Sequence, residues 1–315
     1  MNYYYSLNDY LKETYGEKIY KIAIDAGLTC PNRDGKIDTR GCIFCSSGGS
    51  GDFAVSCKNF SSISEQIEAG IGLFKKKKVG SHFIAYFQAY TNTYGEPEYL
   101  EKIFSEALSH PLIAGISIAT RPDCLGDEIL ELLKSLKKRF IDKFIWVELG
   151  LQTMHEDTAL YIRRGYPLPV FESALDSLNF LDIPVIVHVI LGLPGESNKR
   201  ILETIDYLAR KNIFGIKLQL LHILKGTDLE KDHEKNLFSV YTKEEYIDLV
   251  IDCIEHLPKD VVLHRVTGDG PKNLLIAPLW SGNKKDVLNT LHHRFKERGA
   301  YQGRIFYDTG SIDSV

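Results

Sequence analysis

Six short apolar segments recur along this chain, and each is followed by a longer segment with helical periodicity. The apolar segments are continuous rather than alternating and rich in β-branched residues, which is typical of strands buried on both faces of a parallel sheet. The six predicted strands lie near residues 18–27, 82–89, 115–120, 144–152, 185–192 and 215–223. A closed barrel of this kind has about eight strand–helix repeats. We therefore predict an α/β fold with a partial (β/α)6-type barrel.

The helical segments and the C-terminal region complete the predicted organisation. Ser62, with Glu65 three residues later, has the pattern of a capping box and starts a helix that we expect to reach Lys78. Further helices are predicted at 126–139, 171–181, 199–211, 242–256 and 283–298. We interpret residues 1–258 as the barrel domain and residues 259–315 as a C-terminal α/β extension packed on it. In the extension, VVLHRVTG could add one strand, and GDGPKNLLIAPLW is expected to form an ordered loop.

Composition indicates a globular protein of the reducing cytoplasm. The chain has 44% hydrophobic and 25% charged residues, and its N-terminus lacks the features of a signal peptide. No apolar stretch reaches the roughly 20 residues of a membrane span, so no membrane association is expected. Six cysteines in a reducing compartment favour metal or redox chemistry over disulfides. The net charge of −4 argues against nucleic-acid binding by bulk charge, and no DNA partner is expected.

Three cysteines follow the first predicted strand in the segment CPNRDGKIDTRGCIFC, as Cys30, Cys42 and Cys45. Three thiolates can hold three irons of a [4Fe–4S] cluster and leave the fourth iron open to a ligand that is not protein. Zinc is the alternative, because C-x-x-C is also half of a zinc site. A closed zinc site needs a fourth ligand, however, and the next cysteine, Cys57, has no C-x-x-C partner. The sequence therefore favours the cluster.

The segment Cys42–Ile43–Phe44–Cys45, with an aromatic residue before the last cysteine, resembles the end of the cysteine motif of radical S-adenosylmethionine (SAM) enzymes. The spacing between Cys30 and Cys42 is wider than in the common motif. It resembles the spacing in the Elongator catalytic subunit and in a related bacterial group. Four more segments occur in the Elongator-like order: SIATRPD (117–123), WVELGLQTMHEDT (146–158), RRGY (163–166) and VHVILGLPGES (187–197).

The resemblance implies both a chemistry and a substrate. In this superfamily SAM chelates the open iron, and an electron from the cluster cleaves the sulfonium to give a 5′-deoxyadenosyl radical that abstracts hydrogen from the substrate. An electron donor such as flavodoxin or ferredoxin is implied as a partner. The Elongator likeness implies tRNA as substrate, at the C5 side chain of the wobble uridine. The C-terminal segment HRVTGDGPKNLLIAPLW resembles the bacterial group, and too few residues follow it for an acetyltransferase domain.

Two other functions are compatible with the sequence. A radical SAM oxidoreductase could act on a small molecule such as a porphyrin precursor, because such enzymes share the barrel and similar motifs. A non-catalytic iron–sulfur or zinc protein could serve as a binding module, but Glu148 and the GLPGE turn would then have no purpose. Support for tRNA comes from residues 259–304, which hold nine Lys or Arg against four Asp or Glu. Aromatic residues that could stack on bases lie there too: Trp280, Phe295 and Tyr301.

Candidate SAM ligands lie within or after the predicted strands, whose C-terminal ends form the sites of such barrels. Glu148 could accept hydrogen bonds from the SAM ribose, or pair with a buried Arg or Lys, because a buried carboxylate needs a partner. Gln152, four residues on, could serve the same ligand. Arg121 and Arg164 could bind the SAM carboxylate or form structural ion pairs.

Backbone groups and smaller side chains complete the candidate site. Gly192 and Gly195 could let the backbone approach the adenine, or could form a tight turn before a helix cap. Gln88, together with Tyr90 and Asn92, ends the second strand, where the relatives contact the SAM amino group. Outside this set, Cys57 and Cys124 lie nearer the expected mouth of the barrel, and either could donate hydrogen to a radical or be a buried free cysteine. Cys253 is expected in the core.

Overall fold

The computed structural model describes residues 2–49, 51–52, 54, 57–74, 80–268 and 270–306. The expected helix from Ser62 is present as far as Gly72, and the lysines at 75–78 lie outside the described residues. None of the helices in the described part of the chain has the length and apolar character of a membrane span.

Within the described residues, nine strands form two sheets. They are β1 (Tyr20–Ile24), β2 (Phe83–Phe87), β3 (Ile113–Thr120), β4 (Phe144–Gln152), β5 (Val185–Leu191), β6 (Gly215–Leu220), β7 (Ile223–Leu224), β8 (Val262–Arg265) and β9 (Leu275–Ala277). The main sheet has the order β1-β2-β3-β4-β5-β6-β8, and β7 pairs with β9 in a small antiparallel sheet. The registers of β1–β2, β2–β3, β3–β4 and β6–β8 are all parallel.

All six predicted strands are therefore present, and VVLHRVTG supplies a seventh, β8, beside β6. The segment GDGPKNLLIAPLW was expected to be a loop, and this prediction was incomplete because it contains β9. A three-residue strand shows no usable periodicity in the sequence. Its partner β7 has only two residues, so the pairing depends on tertiary contacts.

Ten α-helices are present in the described part of the chain. They are α1 (Leu7–Tyr15), α2 (Ile63–Gly72), α3 (Pro97–Ser109), α4 (Asp127–Arg139), α5 (Glu156–Tyr161), α6 (Leu168–Phe180), α7 (Asn198–Ala209), α8 (Asp228–Glu234), α9 (Lys243–His256) and α10 (Lys284–Arg298). Capping side chains explain several helix starts: Ser62 caps α2, Thr242 forms a capping box at α9, and Asn283 caps α10.

The chain divides into two compact units. The N-terminal unit consists of the described residues within 8–150 and 165–186. It contains β1 to β3, most of β4 and the helices between these strands. Its core includes Phe87 and Phe104, whose rings meet edge to face at 5.0 Å. Helix α1 buries Leu11, and its Tyr10 packs against Trp146 of β4.

The C-terminal unit comprises the described parts of residues 1–7, 151–164 and 187–315. Its N-terminal segment pairs with β8, because the Leu263 amide donates to the Tyr5 carbonyl at 2.8 Å. The Tyr3 ring stacks on Phe295 of α10 with the centroids 5.2 Å apart. The two ends of this unit thus pack on each other. The domain boundary predicted at residue 258 stays a prediction.

Candidate functional site

The cysteine segment after β1 folds back on itself in the N-terminal unit. The Arg33 and Asp34 amides donate to the Cys30 carbonyl at 2.7 and 3.2 Å, and the Gly41 amide donates to the Asn32 carbonyl at 2.7 Å. These bonds close the eleven-residue segment between the first two cysteines into a compact loop. At its end the Cys45 amide donates to the Cys42 carbonyl at 3.0 Å, so the C-x-x-C sequence forms a tight turn.

The three thiols influence one another electrostatically. The Cys45 thiol donates a hydrogen bond to Cys42 and lowers the Cys42 pKa to about 6, against the opposing effect of burial. The positive charge of Arg121 and a hydrogen bond from the Asn32 amide, 3.6 Å from the Cys42 sulfur, act in the same direction. The same hydrogen bond raises the Cys45 pKa, and the Cys30 charge adds to this. Cys42 therefore ionises more readily than Cys45, and the ionised thiolate is the form that binds a metal.

The spacing of these groups bears on which metal they could hold. Among the described residues, no three His, Cys, Asp or Glu side chains gather as a single metal ion would need. A closed zinc site has four ligands about 2.0–2.3 Å from one ion. A [4Fe–4S] cluster is larger, and its cysteines bind separate irons. The preference for a cluster over zinc stays a prediction from the sequence.

The RRGY segment reaches this site through Gly165 and Tyr166. A Cβ at Gly165 would lie 2.8 Å from the Asn32 Oδ1 atom and 3.2 Å from the Arg121 Nη2 atom, so the close approach requires glycine. The Tyr166 hydroxyl donates to the Gly150 carbonyl, and its ring lies beneath the Arg121 guanidinium at 4.9 Å. This segment therefore supports the cysteine loop by backbone proximity and by a cation–π contact.

Arg121 follows β3 and is 8% exposed. Its guanidinium donates to both carboxylate oxygens of Asp123, at 2.9 and 2.7 Å, which is the structural ion pair considered as an alternative. Its charge nevertheless acts on Cys42. The structure thus places Arg121 beside the cysteine loop, and its contact with a SAM carboxylate stays a prediction.

Residues just after β2 contact the segment that follows Cys45. The Tyr90 hydroxyl donates to the Ser47 carbonyl at 2.7 Å, and its amide donates to the Gly49 carbonyl at 2.8 Å. The fully buried Asn92 side chain donates to the carbonyls of Phe87 and Ala119, and so ties the end of β2 to β3. Its Oδ1 atom is buried, and no described residue donates a hydrogen bond to it. Gln88 lies just beyond β2, where its amide donates to the Ile24 carbonyl at 3.3 Å.

Glu148 is fully buried in β4 and has partners. Its Oε1 atom accepts hydrogen bonds from Lys21 Nζ and from the Ser117 hydroxyl, each at 2.6 Å. Lys21 also lies over the Tyr86 ring at 4.7 Å. The structure therefore contains the buried pair considered as the alternative, and a SAM ribose contact for Glu148 stays a prediction. Lys21 was missed, although a single charge within a predicted buried strand was its signal.

The C-terminal unit contains the turn after β4. Gln152 has a positive φ of 67°, rare for a residue with a long side chain, and its buried Oε1 atom has no hydrogen-bond partner in the part of the chain that the structure describes. Arg164, 2% exposed, donates to the carbonyls of Leu151 and Thr153 at 3.2 and 2.6 Å and pairs with Glu156 at 3.2 Å. Arg164 thus holds the backbone around Gln152, and its predicted contact with a SAM carboxylate stays a prediction.

The turn after β5 has left-handed glycines, with φ 91° at Gly192 and 86° at Gly195. A helix cap follows, because the Ser197 side chain accepts from the Arg200 amide at the start of α7. Glu196 accepts a hydrogen bond from the Thr153 hydroxyl, and burial raises the Glu196 pKa. Glu196 therefore links the turn after β5 to the backbone after β4. The tight turn with a helix cap is present, and the adenine contact stays a prediction.

The C-terminal aromatics differ from their predicted role. Phe295 is fully buried, so the prediction that it could stack on an unpaired base was wrong. The Trp280 indole donates to the Tyr241 carbonyl at 3.0 Å and packs near Tyr246. Tyr301 is 47% exposed and remains available for stacking. Helix periodicity could have shown that Phe295 shares the buried face of α10 with Leu291.

Part of the basic charge in this region is already paired. Arg294 binds Asp248 through two hydrogen bonds of 2.7 and 2.9 Å, and Arg298 binds Asp252 at 2.5 Å. The fully buried Glu255 accepts from Arg298 at 3.1 Å and also from Arg304. These acidic residues lie on α9, outside residues 259–304, where the sequence has more Lys and Arg than Asp and Glu. The local excess of cations is thus smaller in the fold than in the sequence.

The remaining cysteines occupy distinct surroundings. Cys253 is buried in α9, as expected. Cys57 lies near Asp25, whose carboxylate accepts from the Cys57 amide at 3.3 Å, and burial raises the Cys57 pKa. Burial raises the Cys124 pKa to about 12, with Asp123 and Cys30 as charged neighbours. Both therefore stay protonated at neutral pH, and hydrogen donation from either stays a prediction.

Family models match most of the chain. A model described as the Radical SAM superfamily matches residues 39–208, and one described as the Radical_SAM C-terminal domain matches residues 213–297. The protein YtqA of Bacillus subtilis is 42% identical over 303 residues, which cover 96% of this chain and 92% of YtqA.

The chain is also similar, at lower identity, to a protein named as a tRNA acetyltransferase and to a solved Elp3 structure. The tRNA uridine(34) acetyltransferase of Methanocaldococcus jannaschii is 27% identical over 224 residues, which cover 67% of this chain and 39% of that protein. The solved structure of Methanocaldococcus infernus Elp3, truncated at its N-terminus, has a TM-score of 0.68 at 17% identity, covering 93% of this chain and 68% of that one. This likeness confirms the predicted fold class, an α/β barrel of the radical SAM type with a C-terminal α/β extension.

The buried pair in β1 and β4 leads to a prediction about stability. Lys21→Met should lower the free energy of unfolding by about 3 kcal/mol, because it leaves Glu148 buried without its cation. Adding Glu148→Gln should restore most of this loss, since a neutral amide does not need the ammonium group. Urea unfolding of both single variants, the double variant and the parent checks this. Equal stability of Lys21→Met and the double variant would contradict it.

Proposed function

Because the chain belongs to the radical SAM superfamily, we propose that it holds one [4Fe–4S] cluster on Cys30, Cys42 and Cys45 and binds SAM at the open iron. The cofactors of the family are a [4Fe–4S] cluster and SAM, as the sequence predicted. When bound, the cluster would supply the electron that splits the SAM sulfonium into methionine and a 5′-deoxyadenosyl radical, and that radical would abstract hydrogen from the substrate.

One observation carries this proposal. Three thiols outside any disulfide lie on a loop closed by its own backbone bonds, and the tight turn between Cys42 and Cys45 brings two of them together. The loop follows β1 at its C-terminal end, which is where sites form in such barrels. The guanidinium of Arg121 favours ionised sulfur there.

Other residues of the chain have roles in binding SAM. Two buried oxygen acceptors, Asn92 Oδ1 and Gln152 Oε1, have no hydrogen-bond partner among the described residues. A buried acceptor without a hydrogen bond costs free energy, and a ligand amino or hydroxyl group would satisfy it. Gly195, in a left-handed turn with open space where a Cβ would lie, lets a ligand approach the backbone, whereas Gly192 packs against the Tyr241 ring.

The cluster and the radical chemistry are tested together. Anaerobically purified protein, reconstituted with iron and sulfide, should contain about four irons per chain, and it should form 5′-deoxyadenosine from SAM under reduction. The double variant Cys42→Ala/Cys45→Ala should lose both, while Cys253→Ala, in the core of α9, should keep them. Tightly bound zinc and no 5′-deoxyadenosine would instead support the binding-module function.

Gln152 gives a separate test of SAM binding. Gln152→Gly removes the amide without straining the positive φ, and we expect it to weaken SAM binding to the reconstituted protein about tenfold, as for one lost hydrogen bond. Gln152→Asn, which keeps an amide and tolerates that backbone region, should lose less. Isothermal titration with SAM measures both. Unchanged affinity in Gln152→Gly would exclude Gln152 from the site.

We propose tRNA as the substrate, at the C5 side chain of the wobble uridine. The support is the similarity to proteins named tRNA uridine(34) acetyltransferase and Elongator complex protein 3, over 67% and 58% of this chain respectively. Exposed Tyr301 is compatible with base stacking. Because the paired arginines of α10 and of residue 304 reduce the free positive charge, recognition would depend more on shape and base contacts than on bulk charge.

The substrate proposal predicts a change in one nucleoside. The reconstituted protein, with SAM and a reductant, should alter the modified wobble uridine of bulk tRNA, as measured by mass spectrometry of digested nucleosides. tRNA species without a wobble uridine serve as the control and should not change. If tRNA leaves 5′-deoxyadenosine formation unchanged while a porphyrin precursor stimulates it, the small-molecule function replaces this one.

A further inference from the structure

Arg33 lies in the segment between the first two cysteines, and its side chain donates hydrogen bonds to the backbone at and just after the third. Its Nη2 atom donates hydrogen bonds to the Cys45 carbonyl at 3.1 Å and to the Ser46 carbonyl at 2.5 Å. Hydrogen bonds from a charged donor are among the stronger ones in proteins. Arg33 therefore ties the segment between Cys30 and Cys42 to two carbonyls that lie twelve and thirteen residues further along the chain.

The surroundings hold this guanidinium in place. A Cβ at Gly41 would lie 2.9 Å from the Arg33 Nε atom, so the glycine allows the side chain to pass close to the backbone. On another side Arg33 lies 5.9 Å from the centroid of the Tyr90 ring. A planar cation packed against an aromatic ring and a backbone segment has few alternative conformations.

Tyr90 also binds the segment that follows Cys45, to which Arg33 donates its hydrogen bonds. Its hydroxyl donates to Ser47, and a Cβ at Gly49 would lie 2.3 Å from its ring, so that loop packs directly on Tyr90. The Ser46 hydroxyl in turn donates to Asp52 at 2.8 Å. The carbonyls after Cys45 are thus held from two elements, the cysteine loop through Arg33 and the end of β2 through Tyr90.

We propose that Arg33 is a positioning residue for the iron–sulfur cluster, which fixes the turn of Cys42 and Cys45 and places a permanent positive charge beside their sulfurs. This inference rests on the proposed function, because it takes those cysteines as the cluster ligands. The guanidinium lies against the Gly41 backbone, next to Cys42, and donates to the carbonyl of Cys45 itself.

A fixed cation next to the ligands has a definite consequence for electron transfer. Reduction adds one electron from an external one-electron reductant to the cluster, with no bond made or broken and no proton moved. The cluster becomes more negative, so a nearby guanidinium stabilises the reduced form more than the oxidised form. Arg33 should therefore make the cluster easier to reduce. The wide spacing between Cys30 and Cys42 leaves room for the loop that presents it.

Three variants of the reconstituted full chain test the proposal. Arg33→Gln removes the charge, Arg33→Lys keeps it, and Arg40→Gln removes an exposed cation of the same loop that pairs only weakly with Asp38, at 3.6 Å. The readouts are iron per chain and the ratio of reduced to oxidised cluster, from electron paramagnetic resonance during a potential titration. Reduction is measured without SAM, so that the ratio of reduced to oxidised cluster does not depend on enzymatic activity.

We expect Arg33→Gln to lower the ratio of reduced to oxidised cluster about tenfold at a given potential, equivalent to about 59 mV for a one-electron couple. If the turn also depends on Arg33, this variant should bind less iron while staying folded by circular dichroism. Arg33→Lys and Arg40→Gln should stay within about threefold of the parent ratio.

Several results would overturn the proposal. Parent-like iron content and reduction in Arg33→Gln would remove the role of Arg33 altogether. If Arg33→Gln does not fold, Arg33→Lys decides: a tenfold loss in that folded, charged variant would show that the charge is not the cause. An equal loss in Arg40→Gln would mean that any charge in the loop has this effect. Failure of the parent itself to take up iron would contradict the proposed function instead.

Discussion

The parallel pairing of β1, β2, β3 and β4 controls where the polar groups of the N-terminal unit can lie. In parallel strands the carboxyl ends meet at one edge, so the segments that leave these strands start close together. The cysteine loop follows Ile24, Tyr90 and Asn92 follow Phe87, and Arg121 follows Thr120. Residues far apart in sequence thereby serve one loop.

A polar side chain that is buried between these strands and helices needs a hydrogen-bond or ion-pair partner. Lys21 and Glu148 neutralise each other between β1 and β4, and Arg164 binds two carbonyls and Glu156. Such groups are stable because desolvation is offset by hydrogen bonds and opposite charge. The acceptors of Asn92 and Gln152 are among the exceptions, because each is buried with no hydrogen-bond partner in the described part of the chain. An unsatisfied buried acceptor is a reason to propose a ligand contact, and a charge that already has a partner is a weaker one.

The C-terminal unit shows how charge counted along a sequence can mislead. The excess of cations over residues 259–304 includes arginines that α9 neutralises through Asp248, Asp252 and Glu255. Opposite charges on adjacent helices pair, and a window that contains only one helix cannot register this. The likeness to tRNA-modifying enzymes is therefore a firmer reason for the tRNA proposal than the basic segment is.

Sequence alone determined the strand–helix alternation, the cysteine set and the family, because continuous apolar runs, C-x-x-C spacing and ordered motifs are local properties of the chain. It also identified the helix starts at Ser62 and Thr242, where side-chain capping is local. Only the tertiary structure decided which side chains meet: Lys21 with Glu148, Arg33 with Cys45, and Phe295 with the core rather than with a base. Contacts between residues distant in sequence depend on strand register and packing, which no local pattern specifies.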